Sequence, residues 1–272
     1  MTDLLHLVAV GLYALTAAML GISFARPHRR LPGVATATLA LAVVAHGAAL
    51  VAYARRFGEP PLVGLAPSLS VLGFLIALGS LGVATLGRTG PLGLVLVPVA
   101  AAVAAAAQAA GVKPGGEAGE FRGLWLVFHV VLAMLGYAAL AVAFAAGLMY
   151  LLQFRELKSR RFGAIFRFFP PLDTLDRIGR RALMAGLPLL TAALLLGWAW
   201  TERFHQPFAV GNPKVVWGVI SWLAFAAALG ARAAGHPQAR RGALASVLGF
   251  AVVVISYLLL RVGSVASTGG FL

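Results

Sequence analysis

The feature that most constrains this chain is a nearly unbroken apolar run from Phe121 to Gln153. Such a run is long enough to cross a lipid bilayer as a tilted helix. A single imidazole, His129, lies inside it, and Gly136 and Gly147 share its helical face. An ionisable side chain is costly in hydrocarbon and usually faces the interior of a helix bundle. The run therefore predicts a membrane helix that directs His129 toward a buried site. Because Leu140 interrupts the stripe of small residues, close approach of another helix is expected in the half that carries His129.

The composition assigns the chain to the membrane proteins. Of its 272 residues, 61% are hydrophobic and 11% are charged, whereas a soluble protein has about 25% charged residues. The apolar runs are long and lack the alternation of a β-barrel, so the spans are predicted to be α-helices. The absence of cysteine excludes disulfides, thiolate metal sites and thioether attachment of haem to this chain.

The predicted fold is all-α, a polytopic transmembrane helix bundle. No linker or change of composition divides the chain, so residues 1–272 are predicted to form a single integral-membrane domain. Eight spans are expected from length and hydropathy. They cover residues 4–24, 34–54, 63–86, 92–110, 123–153, 183–200, 214–232 and 242–262.

The net charge of +14 is distributed unevenly over the predicted loops. Fifteen basic residues follow spans one, three, five and seven, and seven lie on the opposite face. Because cytoplasmic loops are rich in Lys and Arg, the first face is predicted to be cytoplasmic and both termini extracytoplasmic. Residues 155–181 then form a cytoplasmic interfacial segment, with short helices over 160–169 and after an N-cap at Asp173. Residues 200–214 form an external aromatic loop. Membrane lipids are the expected partners of the basic residues, and nucleic acid is not.

Two histidines lie inside predicted spans, His46 in span two and His129 in span five, while His6 lies at the outer start of span one. At about 1.5 Å per residue, His46 and His129 are about 12 Å and about 9 Å below the outer surface. If spans two and five are neighbours, the two imidazoles are able to hold a haem iron between them. Alternatively, each histidine hydrogen-bonds a backbone carbonyl or a hydroxyl group of a neighbouring helix. Zinc is disfavoured because no carboxylate accompanies them.

Aromatic side chains are concentrated at the external boundary. Four of the five tryptophans lie in or beside spans six and seven, whereas an aromatic belt would be spread over all helix ends. Trp198, Trp200 and Trp217 are therefore candidates for stacking on a planar ligand. Arg203, Lys214 and His205 are candidates for binding the carboxylates of such a ligand.

Three segments resemble the cytochrome c assembly membrane family, which includes CcsA, CcmC and the HemX-like proteins. In the first, FHVVLAMLGYAALAVAFAAGLMYLLQ, His129 precedes a Tyr-Ala-Ala-Leu run that begins at Tyr137. The second is PPLDTLDRIGRRALMAGLPLLTAALLLGWAW from Pro170, and the third is NPKVVWGVISWLAFAAALGAR from Asn212. The resemblance covers spans five to eight well and spans one to four loosely.

The resemblance implies haem handling at the outer face of the bacterial inner membrane during cytochrome c maturation. His129 matches the family's external haem-ligand histidine, and Trp198, Trp200 and Trp217 lie in the region of its tryptophan-rich haem loop. The chain is expected to bind or present haem b near His129, with His46 as the opposing ligand, beside other cytochrome c assembly components. Catalysis is not expected, because no nucleophile or acid–base pair is evident.

Several departures from the family pattern favour the shorter HemX-like branch. Gly211 and Asn212 stand where the family has a Trp-Asp pair, and Gly230 replaces a histidine, with Arg232 matching the arginine beyond it. The tail after the last span also lacks a histidine. An alternative function is therefore a haem-free accessory or scaffold subunit of a membrane complex. A transporter is disfavoured, because neither an inverted repeat nor an acidic residue in a span core is found.

Overall fold

The computed structural model describes residues 2–26, 30–87, 89–114, 123–160, 163–203, 213–233 and 239–268. Within these ranges the regular secondary structure is entirely helical, which confirms the all-α prediction. A short 3-10 turn, Gly90–Leu92, precedes the fourth α-helix. The α-helices are α1 (Thr2–Ala25), α2 (Leu31–Phe57), α3 (Leu65–Thr85), α4 (Gly93–Ala110), α5 (Leu124–Ser159), α6 (Ala164–Phe168), α7 (Leu172–Arg203), α8 (Pro213–Ala233) and α9 (Ala239–Thr268).

Eight of the described helices are long and apolar enough to cross a membrane, all except the short helix α6. This confirms the predicted number of spans and defines a multi-pass membrane protein. Large aliphatic side chains are exposed in the middle of these helices, for example Val44 (68%) and Leu195 (58%). Such surfaces are expected where a helix faces lipid.

The end of α5 and the start of α7 differ from the predicted spans. Helix α5 continues beyond residue 153 to Ser159, and the predicted span 183–200 is only the later part of α7. The separate short helix expected after Asp173 is in fact the start of α7, and Asp173 lies in the first helical turn and is not the N-cap. Arg, Lys and Glu are good helix formers. A helix therefore continues past the point where its hydropathy falls.

The chain forms two compact units. The first comprises Met1–Ala118 and Leu152–Leu172, and the second comprises Gly119–Leu151 and Asp173–Leu272. The first unit thus contains α1 to α4 and α6, and the second contains most of α5 together with α7, α8 and α9. A single domain over residues 1–272 stays a prediction.

In the first unit, α1 packs against α2 and α4, and α3 packs against α4. Gly73 allows a close approach, since a Cβ atom there would lie 3.3 Å from the backbone oxygen of Ala100. Helix α6 is attached through an edge-to-face contact between Phe168 and Phe24 of α1, with ring centroids 5.4 Å apart. Small residues and aromatic pairs are the usual means of packing helices in lipid.

In the second unit, α5 is approached closely by two helices. A Cβ atom at Gly136 would lie 3.3 Å from Cβ of Leu190 in α7, and one at Gly147 would lie 2.8 Å from the backbone oxygen of Ala243 in α9. The close approach expected in the half of α5 that carries His129 is found at Gly136. Gly147 adds a second close approach, in the other half, that was not expected.

Candidate functional site

His129 is held between α5 and α7 of the second unit. Its Nδ1 atom lies 2.8 Å from the backbone carbonyl oxygen of Ala193, and a carbonyl only accepts, so Nδ1 carries the proton and donates it. Gly197 makes room for the ring, since a Cβ atom there would lie 3.1 Å from Cε1 of His129. With the proton on Nδ1, the lone pair is on Nε2. Proteins orient a metal-binding imidazole in this way, through a hydrogen bond from the ring nitrogen that does not bind the metal.

Trp125 reinforces the same contact between α5 and α7. Its indole Nε1 donates to the backbone oxygen of Leu196 over 2.9 Å, and its ring centroid lies 6.4 Å from that of Trp200. Trp125 precedes His129 by four residues and therefore shares its helical face. It was not among the predicted site residues, although this spacing was a usable signal.

The predicted tryptophans do not all have the same surroundings. Trp217 of α8 is packed among aromatic side chains, with ring centroids 4.7 Å from Tyr137 and 5.3 Å from Tyr257. Trp198 is 53% exposed on α7. Trp217 is therefore engaged in helix packing, whereas Trp198 presents an indole ring at the surface.

The predicted external loop is partly helical. Because α7 ends at Arg203 and α8 begins at Pro213, Trp200 and Arg203 belong to the last turn of α7. Arg203 is exposed there. His205 lies outside the described residues, as do the others from 204 to 212. A role of Arg203 and His205 in binding carboxylates stays a prediction.

His46 belongs to the first unit, where it is fully buried in α2. Its Nε2 lies 3.0 Å from Oγ of Ser70 in α3, and its Nδ1 lies 3.1 Å from the hydroxyl oxygen of Tyr13 in α1. Both ring nitrogens are thus hydrogen-bonded to hydroxyl groups of neighbouring helices. Binding of iron by His46 requires one of these bonds to break, and its ligand role stays a prediction.

His6 extends the hydrogen bonds of His46 to a fourth helix. It is only 3% exposed, and its Nε2 lies 2.9 Å from Oγ of Ser70, while its Nδ1 lies 2.6 Å from Oε1 of Gln108 in α4. The rings of His6 and His46 meet edge to face, with centroids 4.9 Å apart. His6 was not a predicted site residue. The available signal was its spacing of two helical turns from Tyr13, which places both on one face of α1.

A buried ion pair joins three helices of the second unit. Arg232 of α8 is 2% exposed, and its Nη1 lies 2.7 Å from Oδ1 of Asp176 in α7. Its Nε and Nη2 atoms lie 3.3 Å and 3.1 Å from Oγ of Ser246 in α9. Gly179 and Gly242 lie directly against this side chain. Arg232 therefore holds the ends of α7, α8 and α9 together.

The fold and these sites define a class of protein, a polytopic helical membrane protein that carries buried, oriented histidines within its spans. The family model described as "Cytochrome C assembly protein" matches residues 4–265. The chain belongs to this family, as the sequence segments around His129, Pro170 and Asn212 predict.

Individual relatives agree with this assignment. The chain is 27% identical over 273 aligned positions to the cytochrome c biogenesis protein CcsA of Synechococcus elongatus, covering 84% of each chain. It is 33% identical over 149 positions to CcsA of Guillardia theta, covering 49% of this chain and 50% of that relative. Among solved structures, the cytochrome c heme lyase CcmF is similar in fold, with a TM-score of 0.67 and 18% identity. The match covers 97% of this chain and 46% of CcmF, so the chain spans about half the length of that protein.

Proposed function

We propose that this protein binds or presents haem b near the outer face of the bacterial inner membrane, as a membrane component of cytochrome c assembly. The observation that carries the proposal is the orientation of His129. The Ala193 carbonyl holds the ring proton on Nδ1, so Nε2 has the lone pair that a haem iron requires. The membership in the cytochrome c assembly family supports the choice of haem over other metal groups.

Residues in the last turns of α7, which His129 contacts at Ala193, fit such a group. Haem, when bound, supplies an iron that accepts the imidazole lone pair and a flat ring with two carboxylates. Trp198 and Trp200 offer indole faces for stacking, and Arg203 offers a guanidinium group for a carboxylate. Trp125 of α5 attaches α7, which carries these residues, through its hydrogen bond to the backbone oxygen of Leu196. Other cytochrome c assembly components are the proposed partners, and the HemX-like branch is the proposed subgroup.

The test is the absorbance of protein purified in detergent from haem-replete cells. A Soret band is expected in the native protein and is expected to be lost in His129→Ala. The matched control is Phe128→Ala, which changes an exposed neighbour and should keep the band. Elution as a monodisperse species in gel filtration establishes that each variant is folded. No band in the native protein, or an equal band in folded His129→Ala, would end the proposal.

The second candidate is a haem-free accessory or scaffold subunit of a membrane complex. It is favoured by the hydrogen bonds on both nitrogens of His46. Affinity purification would then recover a membrane partner together with the chain, and no haem in either fraction. Recovery of haem with the chain alone would exclude this function.

A further inference from the structure

The hydrogen bonds around His46 run in a single donor direction. The Oε1 atom of Gln108 only accepts, so His6 carries its proton on Nδ1 and donates it to Gln108. A neutral His6 then accepts at Nε2, where the donor is the Ser70 hydroxyl. Since Ser70 has used its proton, it accepts from Nε2 of His46. Nδ1 of His46 accepts in turn from the Tyr13 hydroxyl.

With this assignment each donor of His6, Ser70, His46 and Tyr13 has an acceptor. The opposite direction would require the amide of Gln108 to donate and would turn the Tyr13 proton away from His46, inside a fully buried site. The imidazoles of His6 and His46 are both neutral, because an imidazolium would place an unpaired charge within the spans. The tautomers are therefore fixed, with the proton on Nδ1 in His6 and on Nε2 in His46.

We infer that His46 is not a haem ligand. His6, Ser70 and His46 instead form a neutral hydrogen-bond chain whose role is to set the packing of α1, α2, α3 and α4. The one lone pair of His46 is on Nδ1, where Tyr13 donates to it over 3.1 Å. The part of this inference that concerns haem rests on the proposed function, in which His129 binds the iron without His46.

The hydrogen-bond chain is suited to this role because its members, with Gln108 and Tyr13 at the two ends, come from four helices. In lipid, where apolar surfaces on different helices gain little by meeting, interhelical hydrogen bonds contribute to the choice of partner and register. Each inner member both donates and accepts. The loss of one member therefore leaves two neighbours buried and unsatisfied, so the members act as a unit.

The decisive variant is His46→Gln, compared with His46→Ala. A glutamine amide is able to donate to Ser70 and accept from Tyr13, but it is a poor ligand for haem iron. We expect the Soret band of the native protein to persist in both variants. We also expect the melting temperature to fall in His46→Ala and to recover at least in part in His46→Gln. Loss of the band in a folded His46→Gln protein would overturn the inference, whereas absence of the band in the native protein refutes only the proposed function.

A second measurement tests the hydrogen-bond chain of His6, Ser70 and His46 without reference to haem. The fall in melting temperature of His46→Ala, Ser70→Ala and the double variant is compared in the haem-free protein. Substitutions of residues in one hydrogen-bond chain should have non-additive effects. The melting temperature of the double variant should therefore fall by clearly less than the sum of the two single falls. Ser159→Ala, which removes an exposed hydroxyl with a local bond to Glu156, is the matched control and should leave the melting temperature unchanged. Additive falls in melting temperature would contradict the proposed hydrogen-bond chain.

Discussion

A histidine in a membrane helix has to satisfy two ring nitrogens, and its partners decide what it is able to do. His46 and His129 have the same sequence signature, a lone imidazole in an apolar span. Yet His129 has a backbone carbonyl on Nδ1, whereas His46 has hydroxyl groups on both nitrogens. These partners are distant in sequence and belong to other helices. The pattern of a single span therefore predicts that the histidine makes a polar contact inside the bundle. It predicts neither the depth of burial, which is complete for His46 and partial for His129, nor which nitrogen carries the proton.

Gly197 is expected to position His129 by leaving room for its ring. In Gly197→Ala the new methyl group would meet Cε1 at 3.1 Å, so the ring has to shift and its bond to Ala193 should weaken. We expect a lower melting temperature and a weaker or shifted Soret band. The matched control is Gly230→Ala, also in a helix, where a Cβ atom meets nothing within 4 Å. It should leave both readouts unchanged or raise the melting temperature slightly, since Ala is the better helix former. Equal effects of the two variants would contradict a role for Gly197.

Arg232, a buried charge, should contribute strongly to the stability of the second unit. Arg232→Ala removes the buried partner of the Asp176 carboxylate, which keeps its more exposed ion pair with Arg180, and removes two contacts to Ser246. Breaking a buried pair of this kind costs on the order of 3 kcal/mol, which unfolding in mixed detergent micelles would measure. Arg232→Lys should recover little, because a lysine lacks the planar fork that reaches both Asp176 and Ser246. Arg241→Ala, at an exposed arginine, is the control and should change the free energy of unfolding by less than about 1 kcal/mol.

At the scale of elements, hydropathy predicts where the chain is in lipid but not where a helix stops. All eight spans were predicted, yet α5 and α7 extend into charged sequence on either side of α6. The turn between them is set by a side chain. Glu156 of α5 accepts hydrogen bonds from the backbone N–H groups of Gly163 and Phe166, at 3.2 Å and 2.9 Å. A carboxylate that binds the start of a helix satisfies donors that the helix itself leaves unpaired.

The position of α6 should therefore depend on Glu156. In Glu156→Ala the N–H groups of Gly163 and Phe166 lose their acceptor, so their amide hydrogen exchange should become faster. Exchange measured by mass spectrometry on peptides that cover residues 163–168 would show this, while peptides from α2 should be unchanged. Glu202→Ala removes an exposed carboxylate near the end of α7 and serves as the control. Unchanged exchange at 163–168 in Glu156→Ala would mean that α6 is held by its contacts with α1, such as those of Phe24 with Phe168 and Phe169.

At the scale of the whole molecule, the sequence predicts the class of protein better than the arrangement of its helices. Composition and eight apolar runs are sufficient for a multi-pass helical protein, and the motifs around His129 are sufficient for the family. The contacts of His6 with Ser70 and Gln108 are not predictable in the same way. They join residues 64 and 102 positions apart, and a single sequence contains no information on which helices are neighbours. Sites made from several helices are therefore the part that required the structure.

The orientation of the whole chain is a prediction from charge that labelling is able to test. With fifteen basic residues on one face and seven on the other, the loop after α3 should be cytoplasmic and the loop after α4 external. Because the chain has no cysteine, single variants such as Leu86→Cys and Lys113→Cys need no background removed, and both positions are exposed. A membrane-impermeant maleimide should label Lys113→Cys in intact spheroplasts, and Leu86→Cys only after lysis. The reverse pattern would invert the protein and place the His129 end of α5 at the cytoplasmic face, where it could not present haem to the outside.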